Sequence, residues 1–148
     1  MWTPSKSVLL SSVCTKIVIG LVAALAITAP ALVESYLSYA AKDPNIAQPL
    51  LITVYASCVP SMAALISLDR LLANIKRNEV FIEKNVKLLR IISWCCFAIA
   101  FILAVSGSYY ILLLMIAVAA AFFGLILRVV KNVIEQAVVI KNENDYTI

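Results

Sequence analysis

Four long runs of apolar residues, separated by short polar links, dominate the hydropathy pattern of the chain. They cover residues 8–37, 49–68, 88–105 and 110–130. An α-helix needs about 20 mainly apolar residues to cross the hydrocarbon layer of a membrane, and each run is close to that length or longer. The runs are continuously apolar rather than alternating, which favours helices over a transmembrane barrel. The pattern therefore predicts an all-α integral membrane protein with a four-helix bundle.

Composition supports this assignment and restricts the chemistry. Hydrophobic residues make up 64% of the chain and charged residues 14%, whereas soluble domains are about half apolar and a quarter charged. The length suits a single membrane domain over residues 1–148. The chain has no histidine, which is the commonest general base and metal ligand, and it carries none of the usual nucleotide-binding or protease motifs. We therefore expect no enzymatic activity, no catalytic residues, no metal and no cofactor.

Basic residues are distributed unequally among the links, and this predicts the orientation in the membrane. The first link carries only Lys42 and the third carries no basic residue, whereas the middle link and its flanks carry six. These six are Arg70, Lys76, Arg77, Lys84, Lys87 and Arg90. Loops rich in lysine and arginine remain in the cytoplasm. We therefore expect a multi-pass cell-membrane protein with both termini in the cytoplasm and a cytoplasmic hairpin at residues 69–90.

The helical spacing of apolar residues continues past the second run and precedes the third. Leu71, Leu72 and Ile75 extend the second helix, and the third helix is expected to begin near Ile82. Asn78 is a plausible stop between the two helices. Both helices are therefore predicted to extend from the membrane into the cytoplasm.

The fourth helix is also predicted to be longer than the bilayer requires. Its apolar stripe continues through residues 131–141, and a helix over residues 110–140 measures about 46 Å. A small cytoplasmic platform formed with the hairpin is the favoured interpretation, and a helix lying along the headgroups is the alternative. The last eight residues, KNENDYTI, are polar and are expected to fray.

Three residues inside the runs are candidates for an intramembrane role. Lys16 and Glu34 are ionisable residues in the first run, and such residues within a membrane are often functional. Snorkelling to the interface is favoured for Lys16, and an interfacial carboxylate is favoured for Glu34. Pro60 is expected to kink the second helix. The pair Cys95 and Cys96 is interpreted as two small apolar residues, with a redox role as the alternative.

Two stretches resemble an uncharacterised bacterial membrane protein family, domain of unknown function 2975. They are NEVFIEKNVKLLRIISWCC at residues 78–96 and VVKNVIEQAVVIKNENDYTI at residues 129–148. The family pattern has a G-x-V-F turn, E-N-V-x-x-L-R, I-x-W-C, K-N-V-x-E-Q-A and E-N-D-x-T-I. This chain departs from it with Asn78 at the glycine and Lys84 at a position where an acid is common.

The resemblance implies a partner rather than a reaction. Similar proteins are often encoded beside a small helix-turn-helix regulator, which suggests that the cytoplasmic platform binds a DNA-binding protein. The candidate partner-binding residues are Phe81, Glu83, Lys84, Asn85, Lys87, Arg90, Lys131, Asn132, Glu135 and Gln136. In the alternative interpretation Phe81 and Asn85 only fix the turn, and the polar residues of helix four only pair with the basic residues of helix three.

Three functions remain open from the sequence. The first is a small membrane regulator that binds or sequesters a cytoplasmic helix-turn-helix transcription regulator in response to a membrane or peptide signal. The second is an immunity protein against a membrane-active peptide. The third is a small solute or ion transporter, for which Lys16, Glu34 and Pro60 are the candidates. The expected partners are the lipid bilayer, such a regulator and further copies of the chain, without direct nucleic-acid binding.

Overall fold

The computed structural model describes residues 4–147, which form four long helices. The helices are α1 (Pro4–Tyr39), α2 (Ala47–Lys76), α3 (Glu83–Ser106) and α4 (Ile111–Tyr146). A short 3-10 turn, Pro44–Ile46, lies between α1 and α2. The described residues contain no β-strand, and all four helices are long and apolar enough to cross a membrane. The prediction of an all-α protein with four membrane-spanning helices is confirmed at this level.

The helices pack mainly in chain order, with α1 on α2, α2 on α3 and α3 on α4. The core contains Leu71 of α2 with Leu89 and Ile92 of α3. Leu127 and Ile134 of α4 pack against the same cluster. Helix α1 therefore lies at one edge of the assembly, while α2, α3 and α4 share a common apolar core.

The two ends of the helix assembly differ in what they bring together. We call one of them the hairpin end: it holds the turn at residues 77–82, the start of α1 and the last turns of α4. There Lys6 of α1 lines one groove together with Val80 of the turn. The opposite loop end holds the links at residues 40–46 and 107–110. Both termini of the described chain therefore lie at the same end as the α2–α3 turn.

Helices α2, α3 and α4 exceed the thickness of the hydrocarbon layer of a bilayer by different amounts. Helix α3 has 24 residues, α2 has 30, and α4 has 36. These lengths correspond to about 36, 45 and 54 Å, compared with a hydrocarbon layer of about 30 Å. The predicted extension of α2 and α4 beyond one hydrocarbon thickness agrees with these lengths.

The C-terminal segment differs from its expected frayed state, because α4 continues to Tyr146. Residues 141–146 contain no glycine or proline that would stop the helix. The Thr147 hydroxyl also donates to the carbonyl of Glu143 at 2.5 Å and satisfies one of the last carbonyls of the helix. A local contact of this kind stabilises a polar helix end that composition alone does not favour.

Candidate interaction surface at the hairpin end

Asn85 is the centre of the turn that joins α2 to α3. Its side chain is only 1% exposed, although it lies in the first turn of α3. The Nδ2 atom donates to the carbonyls of Glu79 and Val80 at 2.7 and 2.8 Å. The Oδ1 atom accepts a 2.8 Å hydrogen bond from Nδ2 of Asn74 on α2. The side-chain amide of Asn85 therefore binds both α2 and the turn backbone. All of these hydrogen bonds are needed, because a buried polar group without a partner is destabilising.

The turn also explains why asparagine is tolerated at position 78. Asn78 has a φ of 61°, in the left-handed region. Glycine adopts this region without a steric penalty, and asparagine is among the few other residues that do so readily. The backbone N–H of Asn78 donates to the carbonyl of Ile75 at 3.0 Å. The departure from the family glycine thus leaves the shape of the turn intact.

A mixed-charge groove separates the start of α3 from the end of α4. Residues of both signs line it, together with Val86, Val138 and Val139, and its volume is about 240 Å³. The charged lining residues are Glu83, Lys87, Arg90 and Glu135. A surface with an apolar floor and charges of both signs suits an amphipathic partner helix.

Glu135 joins α3 to α4 at the edge of this mixed-charge groove. Its carboxylate pairs with Lys131 on the same helix and lies 3.5 Å from the guanidinium of Arg90. The hydrogen bond from Lys131, with the charge of that residue and of Arg90, lowers the pKa of Glu135 below its ordinary value. Glu135 therefore stays ionised and forms an ion-pair contact between α4 and the start of α3.

A second, basic groove lies on the other side of α3, facing α2. Four basic side chains line it, and its volume is about 370 Å³. They are Arg70, Arg77, Lys84 and Lys87. No acidic side chain lines this groove, whose other residues are Ala73, Asn74 and Leu88. The hairpin end therefore presents two surfaces of different charge, with Lys87 at the boundary between them.

The predicted partner-binding residues do not all have the same exposure. Most are on the surface, Lys131 and Glu135 are partly buried in their ion pair, and Asn85 is enclosed. The exposed members are Phe81, Glu83, Lys84, Lys87, Arg90, Asn132 and Gln136. The carboxamide of Asn132 accepts a 3.1 Å hydrogen bond from Lys131. Asn85 therefore fixes the turn, as the alternative interpretation of the sequence proposed. The pairing of Glu135 with Arg90 also agrees with that alternative.

Several polar contacts were not predicted from the sequence. Asn74 is the amide partner of Asn85, and its only sequence signal is a polar residue on an otherwise apolar helix stripe. Ser93, which is 1% exposed, donates to the carbonyl of Gly124 at 2.9 Å and joins α3 to α4. A Cβ atom at Gly124 would lie 3.1 Å from Phe97. The two helices therefore approach closely at this glycine.

The intramembrane candidates do not converge on one site. Lys16 and Glu34 are both exposed on α1, and they lie about 27 Å apart along that helix. Pro60 lies inside α2 and is only partly buried. The described structure therefore does not bring the two ionisable groups together.

The loop end contains a group of hydroxyl and aromatic contacts. The hydroxyls of Tyr36 and Tyr110 are 2.6 Å apart, and Lys42 Nζ lies 3.8 Å from the centre of the Tyr110 ring. Beneath them Thr53 and Ser106 share a buried 2.6 Å hydrogen bond. These residues line an apolar cavity of about 90 Å³. Nothing in this group supplies a nucleophile with an adjacent base or a cluster of metal ligands.

Comparison with known proteins identifies the family but no function. The sequence model of the family described as Protein of unknown function (DUF2975) matches residues 33–148. No curated protein and no solved structure matches the chain. The match covers most of the chain, including the α2–α3 turn and the whole of α4, and the chain belongs to this family.

Proposed function

We propose that the protein is a small membrane regulator whose hairpin end faces the cytoplasm. There it binds or sequesters a small helix-turn-helix transcription regulator in response to a membrane or peptide signal. The observation that carries the proposal is the mixed-charge groove between the start of α3 and the last turns of α4. At 36 residues, α4 is longer than the hydrocarbon layer requires, which supports a position of this groove outside the membrane. A surface of this kind provides contacts to a soluble protein rather than to lipid.

The charge distribution supports the proposed orientation. The hairpin end carries the basic residues of the α2–α3 region, while Lys42 is the lysine of the loop end. Cytoplasmic loops are enriched in lysine and arginine. At the loop end, the tyrosine pair Tyr36 and Tyr110 suits the opposite membrane interface, since tyrosine favours the headgroup layer.

The construction of the groove supports a binding role. Its two walls are joined by the ion pair of Arg90 with Glu135, and the first turn of α3 is fixed by Asn85. A fixed surface loses little conformational entropy when a partner binds, which favours affinity. Phe81 is 47% exposed in the turn, two residues before Glu83 of the groove, and is an aromatic residue of the type enriched at interfaces.

The test is a pull-down of the tagged full chain from its native membrane in mild detergent, with mass spectrometry of the bound proteins. The variant is Phe81→Ala with Glu83→Lys, two exposed positions outside the ion pairs of the described residues. The matched control changes an exposed aromatic and an exposed acid at the loop end, Tyr109→Ala with Asp43→Lys. We expect the wild type and the control to retain a small helix-turn-helix protein, and the variant to lose at least about nine-tenths of it.

Retention of the same regulator by the variant would move the binding site away from this surface. Recovery of lipid and copies of the chain alone, from membranes of cells that express a helix-turn-helix protein of this type, would refute the proposed function. Protection against a membrane-active peptide and solute transport would then be the functions to test.

A further inference from the structure

Four basic residues and no acidic residue line the basic groove between α2 and α3. Arg70 lies on α2 and Arg77 directly follows the last residue of α2, while Lys84 and Lys87 lie in the first turns of α3. Within residues 6–147, whose side chains the structure describes, none of these four takes part in an ion pair. Glu83 and Glu135 line the mixed-charge groove instead, which lies on the α4 side of α3.

This arrangement does not stabilise the fold by itself. Lys84 and Lys87 are in the first turns of α3, where the positive end of the helix dipole disfavours cations. Like charges that share one groove also repel each other. The cost is offset when an anion enters the groove, so the position of the four cations indicates a ligand.

The Asn85 side chain that fixes the turn also fixes the backbone on both sides of the basic groove. Asn85 bonds to Asn74, which itself lines the groove, and to the backbone of the turn. The backbone positions of Arg77 at the end of α2 and Lys84 at the start of α3 are therefore held relative to each other. A fixed backbone lowers the entropic cost of bringing their side chains to one phosphate.

The remaining lining residues indicate which anion fits. Leu88 and Ala73 give the groove an apolar side, and both lie on helices that are long and apolar enough to span a membrane. A soluble anion makes no use of an apolar side, whereas a phospholipid places its acyl chain along the helices and its phosphate among the cations. We infer that the basic groove binds the phosphate of an anionic phospholipid headgroup, independently of the regulator proposed above.

The experiment is a titration of the purified full chain, in neutral detergent, with short-chain phosphatidylglycerol. Thermal unfolding reports binding, because a ligand that binds only the folded state raises the melting temperature. Phosphatidylcholine of the same chain length and inorganic phosphate are titrated in parallel. The test variant is Lys84→Gln with Lys87→Gln. The control, Lys6→Gln with Lys141→Gln, removes the same charge from exposed positions outside this groove.

We expect saturable stabilisation by phosphatidylglycerol, with an apparent Kd that increases by about tenfold or more in the test variant and changes less than about twofold in the control. Equal stabilisation by phosphatidylcholine, or an unchanged Kd in the test variant, would overturn the site. Stabilisation by inorganic phosphate at the same concentrations would overturn the lipid as its source. The purified chain is tested without a regulator, so the outcome does not depend on the proposed function.

Discussion

The hairpin end and the loop end are closed by different kinds of contact. At the hairpin end a buried amide makes three hydrogen bonds, and an ion pair joins α3 to α4. At the loop end, neutral hydroxyls meet in pairs, Tyr36 with Tyr110 and Thr53 with Ser106. The hairpin end also has two grooves with charged walls, whereas the loop-end cavity is apolar.

The two kinds of contact give the two ends different geometry and surface charge. A neutral hydroxyl pair contributes about 1 kcal/mol and closes a short link without creating a charged surface. An amide with all its partners inside the turn gives one fixed geometry, because any other arrangement leaves buried groups unpaired. The hairpin end is therefore the end with one fixed turn geometry and with charged residues on its surface. Substitutions at the two ends, and one at the α3–α4 contact between them, test this contrast, beginning with the largest expected effect.

Asn85→Leu is expected to lower the free energy of unfolding by about 3 kcal/mol or more. The substitution removes three hydrogen bonds and leaves the carbonyls of Glu79 and Val80 without their partner. Thermal or denaturant unfolding in detergent measures the effect. The control Asn142→Leu, at an exposed position of α4, should change stability by less than about 0.5 kcal/mol. Equal effects of the two substitutions would contradict the account of the turn.

Gly124→Val is expected to cost about 1–3 kcal/mol by overpacking. A Cβ atom there would lie 3.1 Å from Phe97 and 3.3 Å from Cys96, so these side chains of α3 must shift to make room for valine. Gly20→Val is the matched control, because a Cβ atom at Gly20 has no neighbour within 4 Å. The melting temperature of Gly124→Val should be clearly lower than that of Gly20→Val. A control as unstable as Gly124→Val would show that helix propensity, rather than the close approach, causes the effect.

Thr53→Val and Ser106→Ala test the hydroxyl pair of the loop end. Each is expected to cost about 1 kcal/mol, and the double variant should cost less than the sum, because the two hydroxyls bond to each other. A double-mutant cycle from unfolding curves gives the coupling. Strict additivity would mean that the 2.6 Å contact contributes nothing to stability.

Glu135→Gln is expected to have the smallest effect, and its size depends on pH. The pKa of Glu135 is lower in the folded protein than its ordinary value of 4.5, chiefly because Lys131 donates a hydrogen bond to the carboxylate. Its stabilising contribution is therefore present above 4.5 and is lost as the pH falls through the lower, folded-state value. The wild type should be slightly more stable than the variant at neutral pH, because an ion pair exposed to solvent contributes little. A difference that persists at pH 2 would contradict this linkage.

Continuous apolar runs and helical spacing were sufficient to predict the four helices, including the start of α3 near Ile82. They were insufficient for contacts between distant positions. The Tyr36–Tyr110 pair and the Ser93–Gly124 contact depend on how helices are positioned against each other. Short-range periodicity carries no information about that register.

The candidate surface was predicted in part for the same reason. Its exposed charges follow from the sequence because lysine and arginine seldom lie in a core. The buried position of Asn85 does not follow, since asparagine is usually exposed, and its partners become visible only when the turn is folded. Arg70 and Arg77 were absent from the predicted surface because two helices must meet before their side chains share a groove with Lys84.

The orientation of the hairpin end in the membrane is the central claim, and cysteine labelling in intact cells tests it most directly. In a chain whose four cysteines are replaced by serine or alanine, single cysteines are placed at Glu79→Cys in the turn and at Asn45→Cys in the first link, both exposed positions. A membrane-impermeant maleimide should label position 45 in intact cells, and position 79 only after the membrane is permeabilised. Labelling of position 79 in intact cells, with position 45 protected, would contradict a cytoplasmic hairpin end and the regulator-binding function proposed for it.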